Sequence, residues 1–394
     1  MSFPVKTRRS YVSQSAERLA PSGIRRYFDI AATMDDVISL GIGEPSFTTP
    51  QHIIDQGLQS LRAGDTGYTS NSGTLELRQA VADYNRRLHG VDYDPHSEVL
   101  ITVGVSEALF LAMKAVLDYG DEVLVVEPCF VANAAAVEMA GGVPVRVTTS
   151  VEHEFQVTRA DLEAQVTHRT KAILISYPNN PTGAVLTPQH MQAVADFAED
   201  HDLVVISDEI YERLVYGVEH TCFSALPNMR ERTILLSGVS KSFAMTGWRI
   251  GYASAPAPIM AAMRKFHQYL IMSAPTTGQA AAVQALTHGE ADVQHMRAAY
   301  DRRRRLIVDG FNSIGLPCFE PRGAFYAFPN IQATGMDGET FCEQLLNEEQ
   351  VAVIPGDAFG VSGTGFIRAS YTASEAHIEQ ALVRIGRFVQ RHTR

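Results

Sequence analysis

A lysine and an arginine eight residues apart form the segment of this chain best suited to chemistry. Lys241 stands among small and apolar residues in the stretch from Ser240 to Arg249. Most lysines are solvated, but apolar surroundings lower the pKa of an amine and favour its reaction with an aldehyde. Arg249 offers a charged, planar group for a dianionic phosphate, and Ser240 offers a hydroxyl donor. The segment therefore predicts a Schiff-base lysine for an aldehyde cofactor that carries a phosphate.

A glycine-containing turn after an apolar run is typical of a phosphate-binding loop. The run Val99 to Val103 ends in Gly104-Val105-Ser106, and a helical pattern follows. Free backbone N–H groups at a helix start, together with the Ser106 hydroxyl, attract a phosphate. Gly-x-Ser before a helix is also ordinary capping chemistry, so this motif alone leaves both interpretations open.

A loop rich in asparagine and proline follows the apolar run that ends at Ser176. It reads Pro178-Asn179-Asn180-Pro181-Thr182-Gly183, which is typical of a rigid turn. An Asn-Pro bond in such a loop can also be cis, which would hold the Asn180 amide in one direction. Held in that way, the amide would hydrogen-bond a phenolic oxygen.

A carboxylate and a tyrosine follow the apolar run Leu203 to Ile206. Asp208 at this strand end is either a helix cap or, if buried, a group that keeps a pyridine nitrogen protonated. A protonated pyridine ring is an effective electron sink. Tyr211 lies one helical turn further on and can reach the same ring.

An arginine lies within a short apolar stretch near the C-terminus, Phe366-Ile367-Arg368-Ala369-Ser370-Tyr371. Such an arginine either pairs with a structural carboxylate or binds the carboxylate of a substrate, because its planar fork suits bidentate contact. The second role requires Arg368 to face the cluster formed by the other motifs.

An α/β fold is needed to bring these residues together. Short β-branched runs alternate with helical stretches, which is typical of a largely parallel sheet covered by helices. The predicted strands are Val99 to Val103, Glu122 to Val126, Ala172 to Ser176, Leu203 to Ser207, Thr233 to Ser237 and Arg249 to Ala253. The predicted helices between them are Glu107 to Leu117, Val131 to Ala140 and Pro188 to Asp200. Sites in such sheets lie at the carboxyl ends of the strands.

The pattern changes near Gly289, where a long charged helix runs through Asp309 before short strands and a final helix from Glu375 to Gln390. We therefore expect a large domain over residues 46–288 and a smaller α/β domain over residues 289–394. Residues 1–45 are expected to form an N-terminal arm and part of the small domain. The run Arg302 to Arg305, with Asp301 and Asp309 close by, predicts the solvated face of a helix.

Composition excludes several classes of protein. The 394 residues are 45% hydrophobic and 20% charged, with a formal net charge of -11, which argues against a nucleic-acid surface. The four cysteines are far apart and form no Cys-x-x-Cys pair, so neither a disulfide framework nor a metal site is expected. No apolar run approaches the roughly 18 residues of a membrane helix, and no secretory signal follows Lys6, Arg8 and Arg9. A soluble, cytoplasmic protein is predicted.

With these motifs in this order, the chain resembles the class I and II aminotransferases, pyridoxal-phosphate enzymes of fold type I. The resemblance extends from Ser39-Leu40-Gly41-Ile42-Gly43-Glu44-Pro45 to Arg368, and the Lys241 segment is its most specific part. It implies pyridoxal 5'-phosphate as cofactor, with amino acids and 2-oxo acids as substrates.

The resemblance also implies a role for each motif. Lys241 would bind the cofactor covalently and then move a proton at the α-carbon of the substrate. Asp208 would pair with the pyridine nitrogen. The remaining cofactor contacts would be Asn180 and Tyr211 to the 3'-oxygen, Phe130 on the ring face, and Val105, Ser106, Ser240, Arg249 and Tyr68 of a neighbouring subunit to the phosphate. The α-carboxylate of the substrate would be bound by Gly43, Asn180 and Arg368.

A contact from Tyr68 to a neighbouring subunit implies a homodimer with two shared active sites. The family's small domain closes over the substrate, and such closure would exclude water while Arg368 moves in.

Some positions depart from the family pattern or leave the substrate open. Ser46 stands where many relatives have an aspartate, and Val105-Ser106 stands where some relatives have glycine or lysine. No arginine or lysine is assigned to a distal carboxylate, although Arg25 and Arg26 are candidates at the entrance. Tyr326 is a candidate for contact with the substrate side chain.

The predicted function is transfer of an amino group from an L-amino acid, of broad or aromatic preference, to a 2-oxo acid such as 2-oxoglutarate by a ping-pong cycle. The alternatives are an aminotransferase specific for aspartate or another donor, and a carbon-sulfur β-lyase of the same fold. A non-catalytic ligand sensor ranks last, because such regulators carry an added DNA-binding domain and the aminotransferase pattern already starts by about Ile38.

Overall fold

The computed structural model describes residues 11–21, 23, 34 and 36–393. Lys6, Arg8, Arg9, Arg25 and Arg26 lie outside the described residues. Elements below are numbered in chain order over the described part.

A seven-stranded sheet forms the centre of the molecule, in the order β2-β8-β7-β6-β5-β3-β4. Its strands are β2 (Val99–Thr102), β3 (Glu122–Glu127), β4 (Val143–Thr148), β5 (Thr170–Ser176), β6 (Val204–Asp208), β7 (Thr233–Gly238) and β8 (Gly251–Ser254). Strand β8 runs antiparallel to both of its neighbours, and the other pairs are parallel. The predicted largely parallel sheet is confirmed, and the antiparallel β8 makes it a mixed sheet.

Helices cover both faces of this sheet. Over the described residues, the helices that cover this sheet or pack elsewhere in the molecule are α1 (Gln14–Arg18), α2 (Gln51–Arg62), α3 (Leu75–His89), α4 (Gly104–Val116), α5 (Ala132–Ala140), α6 (Arg159–Glu163), α7 (Pro188–Asp200), α8 (Ala257–Leu270), α9 (Thr276–His288), α10 (Glu290–Ser313), α11 (Gly338–Glu349) and α12 (Glu375–His392). Successive side chains of β3 belong to different apolar clusters: Leu124 and Val126 to one, Val123 and Val125 to the other. Burial on both faces explains why these strands are continuous apolar runs rather than alternating ones.

Two smaller sheets lie outside the central one. Strands β9 (Tyr326–Ala327), β11 (Ile354–Pro355) and β12 (Ile367–Ser370) form an antiparallel sheet in the order β11-β12-β9. Strand β1 (Ile38–Ser39) pairs in parallel with β10 (Val351–Ala352). The residues just before position 45 therefore pack with the C-terminal third of the chain.

Helices α9 and α10 meet at Gly289, which caps the end of one and the start of the other. The predicted change in pattern at this residue thus coincides with a break between helices. None of the helices in the described part of the chain is both long enough and apolar enough to span a membrane.

Several boundaries differ from the sequence expectation. Strand β8 begins at Gly251 rather than Arg249, because Arg249 has a positive φ of 57° that ends strand geometry. Helix α4 begins three residues before the predicted Glu107. Strand β4 was not predicted, since most of it is exposed or only partly buried and it carries a weak apolar signal. The Asn180-Pro181 bond is trans; the cis bonds among the described residues precede Pro128 and Pro178.

Candidate active site

A cavity of about 500 Å³ lies at the carboxyl ends of the central strands. Every predicted site residue except Tyr68 lines it: Gly43, Val105, Ser106, Phe130, Asn180, Asp208, Tyr211, Ser240, Lys241, Arg249 and Arg368. Tyr326, the candidate for contact with the substrate side chain, also lines the cavity. Residues that the sequence motifs did not place there contribute as well: Ile42, Glu44, Leu109, Ala132, Ser176, Ile210, Thr246 and Gly247.

Asp208 is the last residue of β6 and presents a buried carboxylate to the cavity. Its Oδ1 accepts a hydrogen bond from the backbone N–H of Ile210 at 3.2 Å, and its Oδ2 accepts a long one from Ser176 at 3.4 Å. Burial raises the pKa of Asp208 to about 6, because a low-dielectric site disfavours the charged form. A carboxylate with such weak partners suits a cationic, protonated ring nitrogen as its ligand.

Lys241 lies in the turn that follows β7 and reaches into the same cavity. Its Nζ donates a hydrogen bond to the carbonyl oxygen of Gly43 at 2.7 Å. The amine also lies 5.9 Å from the ring centroid of Tyr211 and 5.8 Å from that of Phe325. Burial lowers the pKa of Lys241 to about 8. Far more of this amine is therefore neutral, and so nucleophilic, near physiological pH than for an exposed lysine.

The first turn of α4 and Arg249 form a cradle at one end of the cavity. Gly104 has a positive φ of 72°, and a Cβ at this position would lie 2.5 Å from Nη2 of Arg249. Arg249 is oriented by a hydrogen bond from Nη1 to the carbonyl oxygen of Thr246 at 3.0 Å. With Ser106 and the buried Ser240 on the same cavity, hydroxyl, guanidinium and helix N–H donors converge. This set of donors fits a phosphate.

Arg368 also lines the cavity, and its side chain is only 2% exposed. Its Nη1 donates to Oδ1 of Asn180 at 2.9 Å, and its Nη2 donates to the carbonyl oxygen of Gly41 at 2.6 Å. No carboxylate is paired with it among the described residues, although a structural carboxylate was the alternative expectation. The cis alternative for the Asn180-Pro181 bond does not apply, and the Asn180 side chain is instead oriented by the hydrogen bond that it accepts from Arg368.

Tyr211 contributes a phenol to the cavity, and its hydroxyl lies 2.7 Å from that of Tyr326. Burial, and then the neighbouring Tyr326, raise the pKa of Tyr211 well above 10. The phenol therefore remains protonated and can donate a hydrogen bond to a group in the cavity.

Glu209, which follows Asp208, does not line the cavity and belongs to a network of histidines and carboxylates. It accepts hydrogen bonds from the Ser207 hydroxyl at 2.8 Å and the Phe223 backbone at 2.9 Å, and it pairs with His220 Nε2 at 2.6 Å. Burial alone would raise the pKa of Glu209, but the charge and hydrogen bond of His220 lower it. The pKa values of these two adjacent carboxyl groups are thus shifted in opposite directions by their surroundings.

Tyr68 does not line the cavity of its own chain, and its side chain is 84% exposed. Its predicted contact with a neighbouring subunit's site stays a prediction. Phe130, by contrast, lies on the cavity wall beside Ala132 at the start of α5.

Comparison with known proteins gives the family. The family described as "Aminotransferase class I and II" matches residues 35–385. The chain is 49% identical over 384 residues to the "Putative aminotransferase YugH" of Bacillus subtilis, covering 98% of this chain and 100% of that protein. It is 45% identical to an aspartate aminotransferase of Pyrococcus abyssi, with 95% and 97% covered.

A solved structure agrees with the sequence comparison. The crystal structure of the aromatic aminotransferase from Pyrococcus horikoshii superposes with a TM-score of 0.89 at 43% identity, covering 93% of this chain and 99% of that one. Together with a cavity lined by a half-buried lysine, a buried aspartate and a buried arginine, these matches show that the chain belongs to the class I and II aminotransferases and is a transaminase.

Proposed function

We propose that this protein uses pyridoxal 5'-phosphate to move the amino group of an L-amino acid, of broad or aromatic preference, to a 2-oxo acid such as 2-oxoglutarate. The observation that carries the proposal is the convergence of Lys241, Asp208 and Arg368 on one cavity. These residues supply an amine, an acidic partner for a ring nitrogen and a carboxylate-binding cation.

The residues of the cavity fit this cofactor by their chemistry. Asp208 would hold the ring nitrogen, Asn180 and Tyr211 the phenolic oxygen, and Phe130 one face of the ring. The phosphate would be bound by Val105, Ser106, Ser240 and Arg249, and by Tyr68 of a neighbouring subunit. When bound, the cofactor supplies an electron-withdrawing ring that stabilises negative charge at the substrate's α-carbon.

Lys241 is proposed to move the proton at that carbon. A general base works best when its pKa lies near the working pH, and burial brings the pKa of Lys241 to about 8. Its hydrogen bond to the Gly43 carbonyl keeps the amine directed toward the side of the cavity where Gly43 and Arg368 lie. Lys241 is therefore placed to take up and return a proton without help from bulk water.

Arg368 and Asn180 are proposed to bind the α-carboxylate of the substrate, with Gly43 beside them. A carboxylate would replace the Gly41 carbonyl as the partner of Nη2, and the exchange turns a neutral acceptor into a charged one. Charge-assisted hydrogen bonds are roughly twice as strong as neutral ones. Binding the carboxylate fixes the α-carbon relative to Lys241.

The preference for broad or aromatic donors rests on the remaining wall of the cavity. Apolar side chains line it, among them Ile42, Leu109 and Phe130. Within the described lining, the cations are Lys241, Arg249 and Arg368, and each already has a proposed role. Relatives named for aspartate and for aromatic amino acids are similarly close, at 45% and 44% identity. An aspartate-specific enzyme is thus the alternative.

The assembly proposed is a homodimer with shared active sites, which the exposure of Tyr68 supports. The domain division proposed is residues 1–45 as an N-terminal arm and part of the small domain, 46–288 as the large domain and 289–394 as the small domain. Pairing of β1 with β10 and the helix break at Gly289 support this division. All four cysteines are free thiols, which supports a cytoplasmic location.

The test is a panel of amino donors added to the protein loaded with pyridoxal 5'-phosphate. A reactive donor alone should convert the absorption of the aldehyde form of the cofactor to that of the amine form, and a 2-oxo acid should restore it. Lys241→Ala should show neither change. Persistence of the aldehyde absorption with every common amino acid would refute the proposal. Release of pyruvate and ammonia from cystathionine or cysteine without an acceptor would instead indicate a β-lyase.

A further inference from the structure

Tyr326 lines the cavity and also contacts two of the groups proposed to bind the cofactor and the substrate. Its side chain is 1% exposed. Its hydroxyl lies 2.7 Å from that of Tyr211, and the Arg368 guanidinium lies 4.5 Å from its ring centroid. One side chain therefore touches both the proposed partner of the cofactor's phenolic oxygen and the proposed carboxylate-binding arginine.

These contacts cross between two sheets. Tyr326 lies on β9 and pairs with Ser370 on β12, the strand that also carries Arg368. Tyr211 follows β6 of the central sheet. The hydrogen bond between the two phenols thus joins the three-stranded sheet, which carries Arg368 on β12, to the segment that follows Asp208 at the end of β6 in the central sheet.

Gly43 adds a third contact on the same side of the cavity. A Cβ at position 43 would overlap the Tyr326 hydroxyl. The Gly43 carbonyl is the acceptor for Lys241 Nζ at 2.7 Å. Tyr326 therefore lies against the backbone that orients the lysine as well as against Tyr211 and Arg368.

We propose that Tyr326 is a positioning residue of the transamination site, which couples binding of the substrate carboxylate at Arg368 to the hydrogen bond that Tyr211 donates into the cavity. This inference rests on the proposed function. If Tyr211 donates its proton to a group in the cavity, the Tyr326 hydroxyl must be the donor of the bond between them. A hydroxyl that accepts a hydrogen bond is polarised and becomes a stronger donor itself.

The ring of Tyr326 has a separate task from its hydroxyl. A guanidinium over an aromatic face is held there by attraction to the ring quadrupole. Phe359 lies 4.8 Å from the same guanidinium, so aromatic rings limit the positions that Arg368 can take. Removing the hydroxyl should change the cofactor environment, whereas removing the ring should also weaken binding of the amino acid.

Two variants separate these tasks. Tyr326→Phe keeps the ring and deletes the hydroxyl, and Tyr326→Leu deletes both. The matched control is Tyr216→Phe, because Tyr216 is also a buried tyrosine with an arginine over its ring at 5.5 Å and a hydroxyl that donates to a backbone carbonyl at 2.6 Å. Tyr216 does not line the active-site cavity. Thermal unfolding of each variant checks that the fold is retained.

The first readout is a pH titration of the absorption of the bound cofactor without substrate. When Tyr211 donates a weaker hydrogen bond, more negative charge remains on the phenolic oxygen of the bound cofactor. That charge makes the cofactor hold its titrating proton more tightly. The apparent pKa of the bound cofactor, measured from its absorption, should therefore rise by roughly 0.5 to 1 unit in Tyr326→Phe, which corresponds to the usual free energy of one hydrogen bond. It should not move in Tyr216→Phe.

The second readout is steady-state kinetics. Tyr326→Phe should lower kcat by roughly threefold to tenfold with little change in KM for the amino donor, while Tyr326→Leu should also raise that KM roughly tenfold. Should Tyr326→Leu fail to fold, Tyr326→Phe alone decides the question. An unchanged titration in Tyr326→Phe, or an equal change in Tyr216→Phe, would overturn the coupling. A wild-type protein without turnover would refute the proposed function, and the titration would still decide the role of Tyr326.

Discussion

Replacement of Asp208 by asparagine should have opposite effects on the stability of the cofactor-free protein and on the activity of the loaded enzyme. Burial raises the pKa of Asp208 from 3.8 to about 6. Asp208 therefore binds its proton more tightly in the folded chain than in the unfolded one. Its contribution to stability is fully present below the unfolded pKa and is lost as the pH rises through the folded one.

The size of the effect follows from that shift. At pH 8 the folded protein must keep a charged, poorly partnered carboxylate buried, and the shift of about two units corresponds to about 3 kcal/mol. An asparagine side chain carries no charge, so Asp208→Asn should raise the free energy of unfolding of the cofactor-free protein by about 3 kcal/mol at pH 8. At pH 4, where Asp208 is mostly protonated in the fold, the linkage relation leaves only about 0.5 kcal/mol.

Urea unfolding of the cofactor-free protein at both pH values, at one protein concentration, measures this difference. Asp202→Asn is the matched control, because the side chain of Asp202 is 94% exposed and its φ of 50° suits asparagine equally well. We expect the control to change stability by less than about 0.5 kcal/mol. A gain of equal size at pH 4 and pH 8, or no gain at pH 8, would refute the burial argument.

The same substitution should reduce the function of the loaded enzyme. Asparagine cannot act as the anionic partner of a protonated ring nitrogen, and hydrogen bonds to charged groups contribute about 1.5–3 kcal/mol. Transamination should therefore fall by at least roughly 10- to 100-fold, measured as kcat/KM for the amino donor. A more stable protein with lower turnover is the expected combination.

Three further outcomes follow from the structure. Capture of pyridoxal 5'-phosphate by the cofactor-free protein, trapped by borohydride reduction, should rise with pH and reach half its maximum near pH 8, the pKa of Lys241, rather than near 10.5. Gly43→Ala should raise KM for the amino donor roughly tenfold because its methyl group overlaps the Tyr326 hydroxyl, and adding Tyr326→Phe should recover part of the loss in the same kinetic assay. His220→Ala leaves the buried Glu209 with its hydrogen bonds from Ser207 and Phe223 but without its ion-pair partner, and should cost about 3 kcal/mol in urea unfolding at pH 7. This loss should shrink as the pH falls below 4.5, because the lowered pKa of Glu209 gives stability only where the carboxyl is ionised.

The motifs near Lys241 and Asp208 were predictable because each is local. A strand that ends in a glycine turn or a polar cluster can be recognised within about ten residues, and parallel strands bring their carboxyl ends to one edge of the sheet. For this reason Val105, Asn180, Asp208 and Lys241 were all expected on one cavity, where they lie.

The contacts made by Arg368 could not be read in the same way. Its hydrogen-bond partners Asn180 and Gly41 are 188 and 327 residues away in the sequence. Apart from the family resemblance, nothing in the local sequence distinguishes this arginine from one that pairs with a structural carboxylate. The packing of β12 beside β9 and the entry of residues near Gly41 decide which group it meets.

The order of motifs along the sequence was thus sufficient to predict the α/β class, the carboxyl ends of the strands near the site and the type of chemical group at each of them. The pKa shifts of individual carboxyl groups, and the contacts between side chains distant in sequence, depended on tertiary packing. Asp208 and Glu209 are neighbours in the sequence, yet burial raises the pKa of one and His220 lowers that of the other. Likewise, Tyr211 meets Tyr326 only across two sheets. Desolvation and through-space contacts depend on what surrounds a side chain in three dimensions, and residues distant in sequence supply those surroundings.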